Sequence, residues 1–97
     1  MLHPYHSPAV FAARGRALRI LALMQDGEEL FTRMDLIADV DGNAFTLRML
    51  PEDGIVTGES FTLYSALIPA KKLQGERLIY HFASDGKESA RYPVPLQ

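Results

Sequence analysis

The chain has 97 residues, of which 47% are hydrophobic and 23% charged, with a formal net charge of −2 and no cysteine. That length predicts one domain around one core. The mild acidity argues against a nucleic-acid binder that relies on a broad basic surface, and the missing cysteines exclude disulfides, thiolate metal sites and a cysteine nucleophile.

Met1 to Ser7 reads as an extended lead-in, because Pro4 and Pro8 disfavour helix for the residues before them. The start, Met-Leu-His-Pro-Tyr-His, lacks the basic-then-apolar pattern of a signal peptide. No run approaches the roughly 20 apolar residues of a membrane helix, so no membrane insertion is expected. A cysteine-free domain folds in reducing or oxidising surroundings, which leaves localisation unknown. An exported version would take its signal from a larger parent chain, and Met1 would then not be native.

Ala9 to Ala12 is a candidate short edge strand, and Arg14-Gly15-Arg16 a turn. Ala17 to Met24 is the first strong strand, with Leu18, Ile20, Ala22 and Met24 on one face and Leu21 and Leu23 beside Arg19 on the other. A helix from Arg14 to Gln25 is the competing reading, since a continuous apolar run has no diagnostic period. Its length and the flanking Gly15 and Gly27 favour strand. Leu30 to Asp39 follows, with Met34, Leu36 and Ala38 inward and Phe31, Arg33, Asp35 and Ile37 outward.

Asp41-Gly42-Asn43 is a hairpin turn into Ala44 to Leu50, where Phe45, Leu47 and Met49 share one face. Pro51 to Glu59 is irregular and is expected to cross between sheets. In Ser60 to Ile68, Tyr64, Ala66 and Ile68 point inward, and Phe61, Leu63 and Ser65 outward. Pro69 ends that strand, because proline lacks the amide proton a ladder needs. Leu73, Gly75 and Tyr80 then surround the corner into the next strand, where Leu78, Tyr80 and Phe82 form the core face and Ile79, His81 and Ala83 the other. Ser84-Asp85-Gly86-Lys87 signals a second hairpin, and Glu88 to Val94 closes the chain with Ala90, Tyr92 and Val94 on one face. Pro93 and Pro95 suit an edge.

About seven short strands separated by turns are the pattern of a two-sheet antiparallel β-sandwich, an all-β fold. The run Ile-Pro-Ala, Leu73, Gly75, Leu78-x-Tyr80-x-Phe82-Ala-x-Asp-Gly, Tyr92-Pro93 resembles the last strands of immunoglobulin-like, fibronectin type III-like modules appended to bacterial secreted and surface proteins. The resemblance extends upstream through Pro8-Ala-Val, Gly15, Leu18 to Ala22, Asp26 and Tyr64 to Pro69, so it covers most of the chain. It implies the strand order, a corner role for Tyr80 with its hydroxyl bonded back to the preceding loop, and a non-catalytic accessory module that contacts or positions other domains. Fold alone carries no function.

The candidate chemistry is thin. His3 and His6 form His-x-x-His, but Pro4 disfavours the helix that would aim both at one metal, and a solvated tail is the default. Asp39, Asp41 and Asn43 alternate as in a calcium loop, yet the distal Glu of that loop is missing and a hairpin turn explains them. Ser60, Ser65, Ser84 and Ser89 lack a nucleophile elbow. His81 would need a carboxylate beside it to act as a base, and reads as an outward strand histidine. Lys71-Lys72 and Arg14/Arg16 read as solubilising. No cofactor, metal or catalytic residue is expected.

The surplus is apolar. Leu21, Leu23, Phe31, Ile37, Phe61 and Leu63 all fall on outward faces. Either a strand is shifted by one residue, which flips its side chains, or one sheet is covered by a neighbouring domain, a second copy of the chain as a homodimer, or the N-terminal segment. The leading expectation, as the resemblance implies, is a non-catalytic accessory module of a larger bacterial surface or secreted protein that takes part in protein contacts or positions a neighbouring domain. The alternative is a carbohydrate-binding module, for which Tyr5, Phe31 and Tyr92 are the only stacking platforms in a chain without tryptophan.

Overall fold

A computed structural model describes Pro4, His6 and residues 10–25, 33–51 and 61–97, without the side chains of Gln25 and Phe61. Strands dominate: β1 (Leu18–Gln25), β2 (Met34–Val40), β3 (Asn43–Pro51), β4 (Phe61–Ile68), β5 (Arg77–Ser84), β6 (Lys87–Glu88) and β7 (Tyr92–Pro95). A single 3₁₀ turn, Ala70–Lys72, lies between β4 and β5. The run from Leu18 is strand and not helix, because its edge pairs along its whole length with β4, from Leu18 opposite Ile68 to Gln25 opposite Phe61. Residues 30–32, the start of the second expected strand, lie outside the described residues, as do 52–59 of the expected crossing segment.

The strands form one antiparallel sheet in the order β1-β4-β3-β2-β5-β6, with β7 also on β5. The sheet curls at β3. Most of β3 pairs with β2, whereas its last residues, Leu50 and Pro51, pair with Ser65 and Tyr64 of β4. Curling brings the inner faces of the two ends together over one core. Ile20, Ala22 and Met24 come from β1, and Tyr64, Ala66 and Ile68 from β4. Met34, Leu36, Ala38 and Val40 of β2 and Leu78, Tyr80 and Phe82 of β5 join them, and Ala12, Met49, Leu73, Val94 and Leu96 complete the cluster among the described residues. Leu18, Phe45 and Leu47, read from the sequence as inward, are only partly buried against this core. The length of β3 from Asn43 to Met49 has a described partner on one side only, so its side chains are covered less completely.

Both hairpins turn on an Asp-Gly pair. Asp41 and Gly42 have φ of 52° and 92°, and Asp85 and Gly86 have 49° and 81°. Two central residues with positive φ make the turn whose twist matches its flanking strands, and Asp and Gly tolerate that region.

The last strand departs from the sequence reading. Glu88 pairs with Ala83 and Tyr92 with Tyr80, so His81 and Phe82 face three residues, Ser89, Ala90 and Arg91. This is a β-bulge, and the extra residue reverses the alternation before it. Ser89 is therefore the buried residue and Ala90, expected inward, is exposed. The Ser89 hydroxyl accepts from the Phe82 amide at 2.8 Å, and the Ser89 amide donates to the Phe82 carbonyl at 2.8 Å. Pro93 and Pro95 lie exposed on β7.

The chain ends are stitched together. Ala12 makes a parallel bridge with Leu96, and both are buried. Arg14, expected to be solubilising, instead ties this segment to the corner: its guanidinium donates to the carbonyls of Gly75 at 2.9 Å and Leu96 at 3.1 Å and to Glu76 at 3.1 Å.

Candidate functional site

The outer face of β1, β4 and the end of β3 carries an apolar surface that the register assembles. Leu23 lies opposite Leu63, Leu21 opposite Ser65, Arg19 opposite Leu67, and Ser65 is flanked on its other side by Leu50. Directly paired residues of antiparallel strands project to the same side. Five leucines thus share one face: Leu21 is 45% exposed, Leu50 60% and Leu67 51%, while Leu23 and Leu63 are half-buried. Sequence reasoning named Leu21, Leu23 and Leu63. It missed Leu67, although the alternation that puts Leu63 and Ser65 outward extends to it, and Leu50, which only the register sets beside the others. Ile37 is half-buried on the outer face of β2, apart from this group; Phe31 and the side chain of Phe61 lie outside the described residues.

Leu73 is fully buried at the corner, where its carbonyl accepts from the Gly15 amide at 2.7 Å. Gly75 abuts the β2–β3 turn. The Asp41 carboxylate accepts from the amides of Glu76 at 2.9 Å and Arg77 at 3.2 Å, and so clamps that turn to the start of β5. The Asp39 carboxylate accepts from the Gly42 amide at 2.8 Å. The carboxylates that suggested calcium are therefore engaged with backbone amides, and the described residues contain no cluster of three metal-ligating side chains.

Tyr80 is buried, and its hydroxyl bonds Nε2 of His6 at 2.5 Å, a partner other than the preceding loop that the resemblance implied. The imidazole stands edge-on to Tyr80 and Phe82 at 5.4 and 5.1 Å and lies 4.5 Å from the Tyr92 ring. Tyr92, one of the three expected sugar platforms, is thus half-buried in an aromatic cluster; Tyr5 and Phe31 lie outside the described residues.

Burial lowers the His6 imidazole below its ordinary value of 6.5. Burial first, and the neighbouring Tyr92 second, raise the Tyr80 phenol well above its ordinary value of 10.0. The folded chain therefore holds both groups neutral. The His6 contribution is fully present above pH 6.5 and is lost as the pH falls below it, because the unfolded chain takes up that proton first. The Tyr80 contribution is fully present below pH 10.0 and is lost as the pH rises above it. Melting temperature should thus be flat between about pH 7 and pH 9 and fall on both sides. Tyr80→Phe should flatten the alkaline limb. By NMR, the His6 ring should titrate below pH 6.5 in the folded chain; a midpoint at or above that value would show that the ring is not held in this cluster.

His81 was expected to face solvent, and it does lie on the outer face of β5, but it is only 7% exposed. β5 is paired on both edges, Ile37 sits opposite His81 on β2, and the Glu88 carboxylate covers its Nε2 at 3.1 Å. The carboxylate partner that the sequence could not supply is thus present. Ser84 is buried with its hydroxyl donating to the carbonyl of Arg33, and the Ser89 hydroxyl donates to the Ala90 carbonyl at 2.9 Å, so both serve the backbone. A scan against protein-family models and a search of the curated proteins find no match to this chain.

Proposed function

We propose that this chain is a non-catalytic contact module with an immunoglobulin-like, fibronectin type III-like sandwich fold, working within a larger assembly through the outer face of β1 and β4. The fold reading rests on the pairing pattern. With the Ala12 segment counted as a first strand, and β6 and β7 as the two halves of one bulged last strand, the second and fifth strands (β1 and β4) pair, and so do the third, sixth and seventh (β2, β5 and β6–β7), while the fourth, β3, pairs with both groups. That is the partition of such sandwiches. The parallel bridge of Ala12 with Leu96 supports the same reading by tying the first strand to the last.

The contact reading rests on one observation, the five leucines on a single face. Fully burying an exposed leucine contributes about 1.5–3 kcal/mol; these five are already partly covered, so only a partner that covers all of them together can offset the cost of association. Contact modules need no catalytic constellation, and the polar side chains singled out above serve turns and strands.

Light scattering over a concentration series tests the reading. The mass should rise above 10.8 kDa with concentration. Leu67→Glu should hold the mass at 10.8 kDa with an unchanged circular dichroism spectrum, because this side chain is half exposed. A wild-type chain that stays monomeric at about millimolar concentration, and that takes up no more apolar dye than Leu67→Glu, would remove the support for a contact face.

A further inference from the structure

A groove of about 320 Å³ opens where the β2–β3 turn meets the segment after the 3₁₀ turn. Lys71, Lys72, Asn43 and Gln74 line it, with the half-buried Phe45 ring on the β3 side. It shares no residue with the leucine face and stands independently of the contact reading.

The lining has unspent donors. The side chains of Lys71, Asn43 and Gln74 make no hydrogen bond or ion pair with another described residue, and the Lys72 ammonium stands 5.2 Å from the Phe45 ring centre. The one acidic group, Asp41, is occupied, because its two carboxylate oxygens already accept from the amides of Glu76 and Arg77. Lys71 and Lys72 thus line the groove together with one carboxylate that is turned to the backbone. The same clamp ties the β2–β3 turn to the chain just after the groove's Gly75.

We propose that this groove binds a single hexuronate, a sugar residue that bears a carboxylate. The two ammonium groups match the carboxylate. The amides of Asn43 and Gln74 each present a donor and an acceptor, which matches hydroxyls that must do both. The Phe45 ring carries the Lys72 ammonium over its face and so sets that charge beside the groove. The volume lies at the lower end of small-ligand sites, enough for one ring and too small for an extended chain. A peptide C-terminus fits less well, because such a carboxylate is captured by clustered backbone amides, and Asp41 has taken those of Glu76 and Arg77.

The experiment is a ¹H–¹⁵N NMR titration of the full chain with glucuronate, glucose, acetate and inorganic phosphate in parallel. Glucuronate should shift the amides of residues 40–45 and 71–75 in a saturable way, and glucose and acetate should each bind at least about tenfold more weakly. The double variant Lys71→Gln/Lys72→Gln should lose glucuronate binding while its amides outside the groove stay in place. Equal affinity for phosphate or acetate would reduce the groove to a simple anion patch and overturn the sugar assignment. Absence of saturable shifts, or full binding by the double variant, would overturn the site.

Discussion

Phe82→Ala should lower the unfolding free energy by about 3–5 kcal/mol, the largest single effect expected in this chain. Phe82 is completely buried in the central strand β5 and is among the largest side chains at that depth. Its ring lies 5.9 Å from that of Tyr80 and 6.0 Å from that of Tyr92, and His6 stands edge-on to it. Truncation removes the ring's transfer free energy and leaves a cavity between faces that the curl of the sheet holds apart. A small domain has a total stability near the lower end of about 5–15 kcal/mol, so the variant should be substantially unfolded at room temperature. Urea titration followed by circular dichroism gives the measurement. A loss below about 1 kcal/mol would mean that the two inner faces do not close over Phe82.

Gly75→Ala should cost about 2–3 kcal/mol, although glycine-to-alanine changes often stabilise a loop. The reason is space and not backbone conformation. A Cβ at Gly75 would stand 2.2 Å from an oxygen of the Asp41 carboxylate and 2.6 Å from a methyl of Val40. A carboxylate free in solvent would swing aside, but this one is held by the amides of Glu76 and Arg77. Making room means giving up charge-assisted hydrogen bonds or shifting a corner whose Gly75 carbonyl also accepts from Arg14. A double-mutant cycle separates this account from a general loss of stability. Asp41→Gly removes the carboxylate and suits the positive φ of that position. In that background Gly75→Ala should cost clearly less than in the wild type. Strict additivity of the two substitutions would falsify the clash as the cause.

Much of the inner face is legible in the amino-acid sequence, because a strand's side chains alternate with a period of two. Ile20, Ala22 and Met24, Met34, Leu36 and Ala38, and Leu78, Tyr80 and Phe82 are inward as the alternation implies. The Asp-Gly hairpins are legible for a similar reason, since only a few residues tolerate positive φ at consecutive positions. These are local properties, and local chemistry in the sequence determines them.

Three features are not local. The bulge at Ser89 to Arg91 reverses the expected side of Ala90, and no residue type marks where a ladder slips by one. The burial of His81 depends on β5 having partners on both edges and on Glu88 reaching across from β6, facts about pairing and not about the strand itself. The candidate surfaces are the clearest case. Leu21 and Leu23 of β1, Leu63 and Leu67 of β4 and Leu50 of β3 meet only through the pairing of β4 with β1 and β3. Likewise, the lysines after β4 meet Asn43 and Phe45 through the pairing of β2 with β5 and the Asp41 clamp at the start of β5. The sequence by itself determined an all-β chain, its turns and most of its buried face, since these follow from backbone preference and alternation. Tertiary structure alone decided which outward residues became neighbours, because register and long-range pairing bring together positions that no sequence spacing connects.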